Sequence, residues 1–245
     1  MSQGDALDVF VQALQGLDPA IEDQQVQQFL RYRQELIEWN SRFNLTAITD
    51  PGEILFKHFL DSVSLLMAYD KLQARVLDIG AGAGFPGIPL KIVRPRWRVV
   101  LLEATGKKVA FLRHVIETLE LRNVEAVQGR AEELAHQQVY RASFNLVTAR
   151  AVASLPVLLE YAAPYCRVEG QIILPKKGDI TEELARGKLA ARQLGAVLRA
   201  DKAISLPGLE DGRRLLVWEQ VKKCPETFPR SGSVMAKKPP GQVGY

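Results

Sequence analysis

Apolar positions set the first boundary in this chain. Val26, Phe29, Leu30, Leu36 and Ile37 form an interrupted stripe at helical spacing, and no β-rich run occurs before residue 70. Asp18 and Pro19 predict a break ahead of that helix. Pro51-Gly52 predicts a turn, and a further helix follows from Ile54 to Met67. At Arg75 the texture changes to short branched-apolar runs alternating with helical patterns. Strands are predicted at Arg75–Ile79, Arg98–Glu103, Val124–Gln128, Ser143–Thr148, Gly170–Leu174, Val197–Ile204 and Arg213–Val221. Helices are predicted at Pro86–Val93, Lys107–Leu119, Ala131–Leu134, Leu155–Tyr161 and Ile180–Gln193. In the second of these, Leu112, Val115, Ile116 and Leu119 follow i, i+3, i+4, i+7 spacing. Such alternation implies an α/β fold with a parallel sheet covered on both faces. Between the last two strands there is no helix. Gly208, Asp211 and Gly212 supply a turn, so the sheet is expected to end in an antiparallel hairpin.

The layout is therefore a helical cap over 1–70, an α/β body over 71–221 and a tail over 222–245. Apolar residues make up 47% of the 245 and charged residues 24%, an ordinary globular composition. No uncharged apolar run reaches 18 residues, so no membrane-spanning helix is expected. Met1 to Leu7 lacks a basic start followed by an apolar stretch, so no secretory signal is expected. Cys166 and Cys224 have neither metal nor CxxC spacing and read as free thiols of a cytoplasmic protein. No metal and no membrane partner are expected, and the chain reads as a monomer.

Charge is uneven. Four basic residues against nine acidic ones give −5 over residues 1–60, which leaves +9 for the rest of a net +4. A basic body fits a polyanion such as RNA. In the tail, Lys222, Lys223, Arg230, Lys237 and Lys238 face only Glu226. This tail reads as a flexible arm that orders on RNA, or as a terminus without a role.

The strongest local signal is Val76-Leu77-Asp78-Ile79-Gly80-Ala81-Gly82-Ala83-Gly84-Phe85-Pro86-Gly87, which links the first strand to the first helix of the body. Glycines let a backbone bend sharply and approach a ligand. Pro86 fits the first helical turn. Two parses compete. Gly82, Gly84 and Gly87, with Glu103 19 residues beyond Gly84, satisfy the dinucleotide pattern with its ribose acid. Asp78, Gly80, Gly82 and Gly84 instead resemble motif I of the seven-stranded S-adenosylmethionine methyltransferases, with Glu103 again on the ribose. The acid two residues before the first glycine and the terminal hairpin favour the second. Asp78 also reads as a residue that caps the turn.

Methyl transfer from a sulfonium is an in-line displacement, and the enzyme mainly aligns the reactants. A base is needed only where the nucleophile must lose a proton. No [Asn/Asp]-Pro-Pro-[Tyr/Phe] follows the fourth strand, as exocyclic-amine enzymes require. Cys166 reads as an inert thiol rather than a nucleophile. Guanine N7, which has a lone pair and no proton, fits what remains. Arg130 and Arg150 follow the third and fourth strands, where a doubly wound fold places its site. Both are assigned to orientation, since an arginine on N7 would occupy the attacking lone pair. Their other reading is exposed arginines with local acid partners.

At this point the residues resemble one family. Residues 76–90, Val-Leu-Asp-Ile-Gly-Ala-Gly-Ala-Gly-Phe-Pro-Gly-Ile-Pro-Leu, are similar to the glucose-inhibited division protein B family of small-subunit rRNA guanine-N7 methyltransferases. Trp39-Asn40, then Asn44-Leu45-Thr46, match its WNxxxNLT element, and His58, Asp61 and Ser62 its HxxDS element. Glu103, Gly106-Lys107-Lys108, Phe111-Leu112, Arg150-Ala151, Leu155, Lys177-Gly178 and Arg230 with Gly232 continue in register. The match runs from about Phe29 to Gly232. It implies a Rossmann-like methyltransferase with an N-terminal helical extension, acting on a guanine in the 530 loop of 16S rRNA, as naked RNA or in the small ribosomal subunit. It carries S-adenosylmethionine contacts onto Gly80, Phe85, Glu103, Ala104, Thr105, Ala131, Glu132 and Arg150. Asn40, Arg130 and Arg150 would surround the substrate base. Asn145 departs from the Asp more usual at that point of the fourth strand.

Other readings remain open at this level. His58 reads as a hydrogen-bonded structural residue that Asp61 could pair with. Asn40 and Asn44 could cap or turn the chain. Trp39, Phe43 and Phe59 read as core. A nicotinamide-dependent oxidoreductase is the enzyme alternative, although no Tyr-x-x-x-Lys dyad is present. A cofactor-sensing ribosome assembly factor without catalysis is the other.

Overall fold

The computed structural model describes residues 3–150 and 153–237. Ala151 and Lys238, read above, lie outside the described residues. Helix α1 spans Gln3–Leu17 and α2 spans Asp23–Phe43. Glu22 caps α2 with a reciprocal box to Gln25. Asn40 closes its last turn through the amide of Asn44, which has φ 48°.

The next helix differs from expectation. Pro51-Gly52 is not a turn between elements but the first turn of α3 (residues 51–67), capped by the Asp50 side chain at 2.8 Å from the Glu53 amide. Proline fits there because its missing N–H falls among donors that have no helical partner. Helix α3 then widens to π hydrogen bonding over Ile54–Leu60 and tightens to 3-10 over Ser64–Met67.

The body holds β1 (Arg75–Ile79), α4 (Gly87–Val93), β2 (Arg98–Glu103), α5 (Gly106–Thr118), β3 (Val124–Gln128), α6 (Ala131–Leu134) and β4 (Phe144–Ala149). It continues with α7 (Leu155–Ala162), β5 (Cys166–Lys177), α8 (Thr181–Leu194), β6 (Ala196–Ala203) and β7 (Arg213–Gln220). The seven strands form one sheet in the order β3-β2-β1-β4-β5-β7-β6. Neighbours are parallel from β3 to β5, and β7 runs antiparallel to both β5 and β6. The predicted hairpin is therefore present, with its second strand inserted inside the first. Strand β5 is longer than predicted because polar Lys176 and Lys177 pair with Arg214 and Arg213 across to β7.

Period-two alternation sorts the strand residues into two cores. Val76, Val99, Leu101, Leu146 and Val217 face α4, α5 and all the N-terminal helices. Leu77, Val100, Leu102, Val147 and Trp218 face α7 and α8. Thus Phe10, Phe29, Tyr32 and Phe59 share one apolar cluster with the body. Phe43 does not join it. It is 39% exposed at the end of α2, against Trp39 and under the Lys107 ammonium. Asn145 accepts the Arg75 amide at 2.8 Å, away from the site.

The tail is not a free arm over its described part. Arg230 grips the fully buried Glu160 through its amide, Nε and Nη2 at 2.6–2.8 Å. Arg141 donates to the carbonyls of Cys224, Pro225 and Phe228. A short helix, α9 (Gly232–Lys237), follows and buries Met235. A buried carboxylate needs a partner, and the basic residue that reads as an RNA contact supplies it. Among the described residues, no helix is long and apolar enough to cross a membrane.

Candidate active site

A cavity of about 440 Å³ opens at the carboxyl ends of β1, β2, β3 and β4, at the point where chain order reverses. Its floor is the glycine loop. The amides of Gly80 and Ala81 both donate to the Leu102 carbonyl, at 2.8 and 3.0 Å, which turns the chain out of β1. Gly84 has φ 99°, and a Cβ there would stand 2.5 Å from Ile88 Cδ1 and 2.6 Å from the Tyr32 hydroxyl. Buried Tyr32 donates from that hydroxyl to the Ala83 carbonyl, so α2 braces the loop from below. Gly87 meets Asp78, whose Oδ2 accepts the Gly87 amide at 2.8 Å. Asp78 is fully buried, and burial pushes its carboxyl up to about 7. It holds α4 to β1 and does not line the cavity. The capping reading of Asp78 therefore describes its geometry better than cofactor contact.

The β2–β3 half of the cavity is built for a polar ligand. Both carboxylate oxygens of Glu103 are aimed from within, Oε2 by the Gly82 amide at 3.0 Å and Oε1 by the Thr105 amide at 2.8 Å. The carboxylate is thus fixed at the end of β2 with lone pairs left to accept from a ligand diol. Ala104, Gly129, Arg130, Ala131, Glu132 and Tyr161 continue the wall. Arg130 precedes α6, lies exposed at the rim and has no ion-pair partner among the described residues.

On the β4 side, Arg150 is the centre of a network. Its Nη1 donates to Asp61 Oδ2 at 2.7 Å and to the Lys57 carbonyl at 3.4 Å. Its Nη2 meets His58 Nδ1 at 3.1 Å, and its guanidinium lies over the Phe85 ring at 5.1 Å. Asp61 Oδ1 takes Arg213 from β7 at 2.8 Å. The expected His58–Asp61 pair is absent because two arginines occupy the carboxylate. His58 stacks on Phe85 with 4.4 Å between ring centres, and its Nε2 lies 2.8 Å from Thr46 Oγ1. Burial, and then the Arg150 charge, lower the imidazole to about 3, so it is neutral at pH 7.

Of the residues singled out in the sequence, Gly80, Gly82, Phe85, Glu103, Ala104, Arg130, Ala131, Glu132 and Arg150 are brought together around this one cavity. Asn40, Asp78, Gly84 and Thr105 are not. Asn40 sits behind it, with Oδ1 accepting the Thr46 amide at 2.8 Å. Thr105 acts through its amide on Glu103. Thr46, His58, Lys108 and Tyr161 were missed as lining residues. Thr46 and His58 lie within the two matched N-terminal elements, which was the available signal.

A pocket of this volume is of ordinary ligand size. An acid held by backbone amides at the end of β2, facing a glycine loop, suits the ribose of a nucleoside cofactor, and the residues present therefore fit S-adenosylmethionine. Solved structures agree on the fold. MtNAS in complex with S-adenosylmethionine superimposes with a TM-score of 0.54 at 17% identity, covering 81% of this chain and 73% of that one. The PH0226 protein of Pyrococcus horikoshii gives 0.53 at 18%, covering 75% and 98%. In sequence, the family model described as rRNA small subunit methyltransferase G matches residues 25–205. A protein of that name from Dehalococcoides mccartyi (strain CBDB1) is 45% identical over 229 residues, 94% of this chain and 97% of its own. Another, from Roseiflexus sp. (strain RS-1), is 44% identical over 219 residues, 89% and 93%. The dinucleotide parse of the glycine loop and the non-enzyme alternative are set aside by this likeness. Because it spans nearly every element that builds the cavity, from α2 to β6 and beyond, the chain belongs to the GidB family of rRNA small subunit methyltransferase G.

Proposed function

We propose that this enzyme, a small-subunit rRNA methyltransferase that uses S-adenosylmethionine, modifies N7 of a guanine in the 530 loop of 16S rRNA. It works as a cytoplasmic monomer, on the RNA or on the small ribosomal subunit. The 1–70 segment acts as a cap on the 71–221 body, and in the 222–245 tail the described residues from Cys224 to Arg230 act as a brace. When bound, the cofactor supplies an electrophilic methyl group on its sulfonium.

The observation that carries the N7 reading is the lack, among the described residues, of a usable base on the β4 side. His58 Nδ1 already accepts from Arg150, and the ring is neutral. Asp61 has both oxygens on arginines. Cys166 lies in β5 outside the cavity wall, with its thiol pushed up to about 12 by burial. A nucleophile that must lose a proton has no acceptor there, whereas N7 needs only alignment. Glu103, aimed by the Thr105 amide, and the Gly80–Gly82 backbone hold the nucleoside part of the cofactor, with Ala104, Ala131 and Glu132 around it. Phe85 and Arg150 border the reacting centre. Asp78 and Gly84 shape the loop from behind. Asn40 acts at one remove, by fixing Thr46. Arg130, free at the rim, orients the RNA, whose target base is splayed from a single-stranded loop.

The test is transfer of labelled methyl from S-adenosylmethionine to isolated small subunits, with the product mapped by mass. One labelled guanine N7 in the 530 loop is expected, with at least a tenfold loss for Arg130→Ala. Label on another base or atom overturns the reading.

A further inference from the structure

A hydrogen-bond count singles out Thr46, a residue outside the methyltransferase body. A guanidinium carries only donors, so the imidazole nitrogen 3.1 Å from Arg150 Nη2 must accept. Asp61 and Arg213 hold Arg150 in that position. His58 therefore carries its proton on Nε2 and donates it to Thr46 Oγ1 at 2.8 Å. The Ile48 amide donates to the same oxygen at 3.1 Å. Two donors fill both lone pairs of the Thr46 hydroxyl. Its own hydrogen has no acceptor among the described residues, and the residue lines the cavity. The Asn40 bond to the Thr46 amide fixes the backbone as well.

From this geometry we infer that the Thr46 hydroxyl is a one-way donor that reads O6 of the target guanine. The inference rests on the N7 reading above. Position selects the base over the cofactor. Glu103 and Glu132, which suit the nucleoside, rise from β2 and after β3 on one side of β1. Thr46 is tied through His58 to Arg150, which follows β4 on the other side. Chemistry selects O6. It shares the edge of guanine with N7, so a donor placed there leaves the N7 lone pair free. Adenine offers an amino donor at the same place, and donor would face donor. A neutral hydroxyl also adds no positive charge beside a base that becomes cationic on methylation.

The experiment uses small subunits reconstituted with ligated 16S rRNA carrying guanosine or 2,6-diaminopurine at the target position. The latter replaces O6 with an amino group. Methylation rate and subunit Kd are measured for wild type, Thr46→Val and Thr46→Ser, with S-adenosylmethionine Kd measured separately. Wild type and Thr46→Ser are expected to prefer guanosine. In Thr46→Val that preference shrinks about tenfold or more, while cofactor Kd stays within about twofold. Lower nucleophilicity of the analogue affects all three proteins alike and cancels in the comparison. An unchanged preference in Thr46→Val overturns the inference. So does a cofactor Kd that weakens in step with the rate, since the donor would then serve the cofactor. If Thr46→Val loses its melting transition, Thr46→Ala carries the same comparison. Wild-type label away from guanine N7 overturns both this and the proposed function. Label at N7 with unchanged preference overturns the Thr46 assignment alone.

Discussion

Glu103 shows how much of the site is set by one side chain. Its two oxygens each receive a backbone amide, from Gly82 and Thr105, so the carboxylate orders the glycine loop and the start of α5 together. An amide at this position would turn one acceptor into a donor against an N–H. Glu103→Gln is expected to weaken S-adenosylmethionine binding by about 10- to 100-fold by calorimetry, the range for a lost charge-assisted hydrogen bond. A binding constant within twofold of wild type would remove Glu103 from the cofactor site. His58 sets a second expectation, in pH. Its value is near 3 in the fold against 6.5 unfolded. Between those limits the unfolded chain binds the extra proton, so stability is full above pH 6.5 and falls as pH drops. Between pH 7 and pH 4 this one residue accounts for about 3 kcal/mol. Urea titrations at both pH values should show a smaller fall in His58→Gln than in wild type. At this scale the sequence was legible where the motif lines the cavity directly. It was less so where a residue works at one remove. Asp78 and Asn40 share a motif with site residues yet serve the backbone, through the Gly87 and Thr46 amides, pairings that the motif does not encode.

Among the elements, boundaries were legible where apolar period and punctuation agree. Strands β1 to β3 begin and end as predicted, since branched-apolar runs stop at Gly80, Ala104 and Gly129. The π segment in α3 was not legible, because no residue type announces it. It turns His58, Phe59 and Asp61 toward the body within one helix. The docking of the tail is not legible either, because Arg230 pairs with a glutamate 70 residues away, beyond any local pattern. Arg230→Ala would leave Glu160 buried without its cation. A loss of about 3 kcal/mol in urea is expected, and Glu160→Gln together with Arg230→Ala should recover part of it. An unchanged midpoint for Arg230→Ala would mean that the brace is dispensable. Gly87→Ala is expected to cost about 1–3 kcal/mol. The added Cβ would lie 2.2 Å from Leu101 Cδ2 and 2.9 Å from Asp78 Oδ2.

At the scale of the whole molecule, the fold class and the place of the cavity followed from alternation and from the glycine loop. The sharing of a single apolar cluster between the N-terminal helices and the body did not, since it depends on which faces meet. Charge keeps its meaning here. The −5 of residues 1–60 and the +9 of the remainder leave a basic body for a phosphate chain. Binding to small subunits should weaken as salt rises, with log K falling linearly in log [KCl]. Arg130→Ala should reduce the steepness by about one. A slope identical to wild type in filter binding would place Arg130 away from RNA phosphate.

The carboxylate of Asp61 also has a history in time. A ribosome making this chain extrudes Asp61 first, Arg150 after a further 89 residues, and Arg213 last. At roughly 5–20 residues per second, several seconds separate the arrival of its two cations. For that interval Asp61 has one oxygen on Arg150 and the other without its arginine. The ionic scaffold behind Arg150 is thus completed by the hairpin strand β7, the last strand of the sheet to be made. A nascent chain stalled before β7 carries every residue of the glycine loop while Asp61, which holds Arg150, still lacks its second arginine.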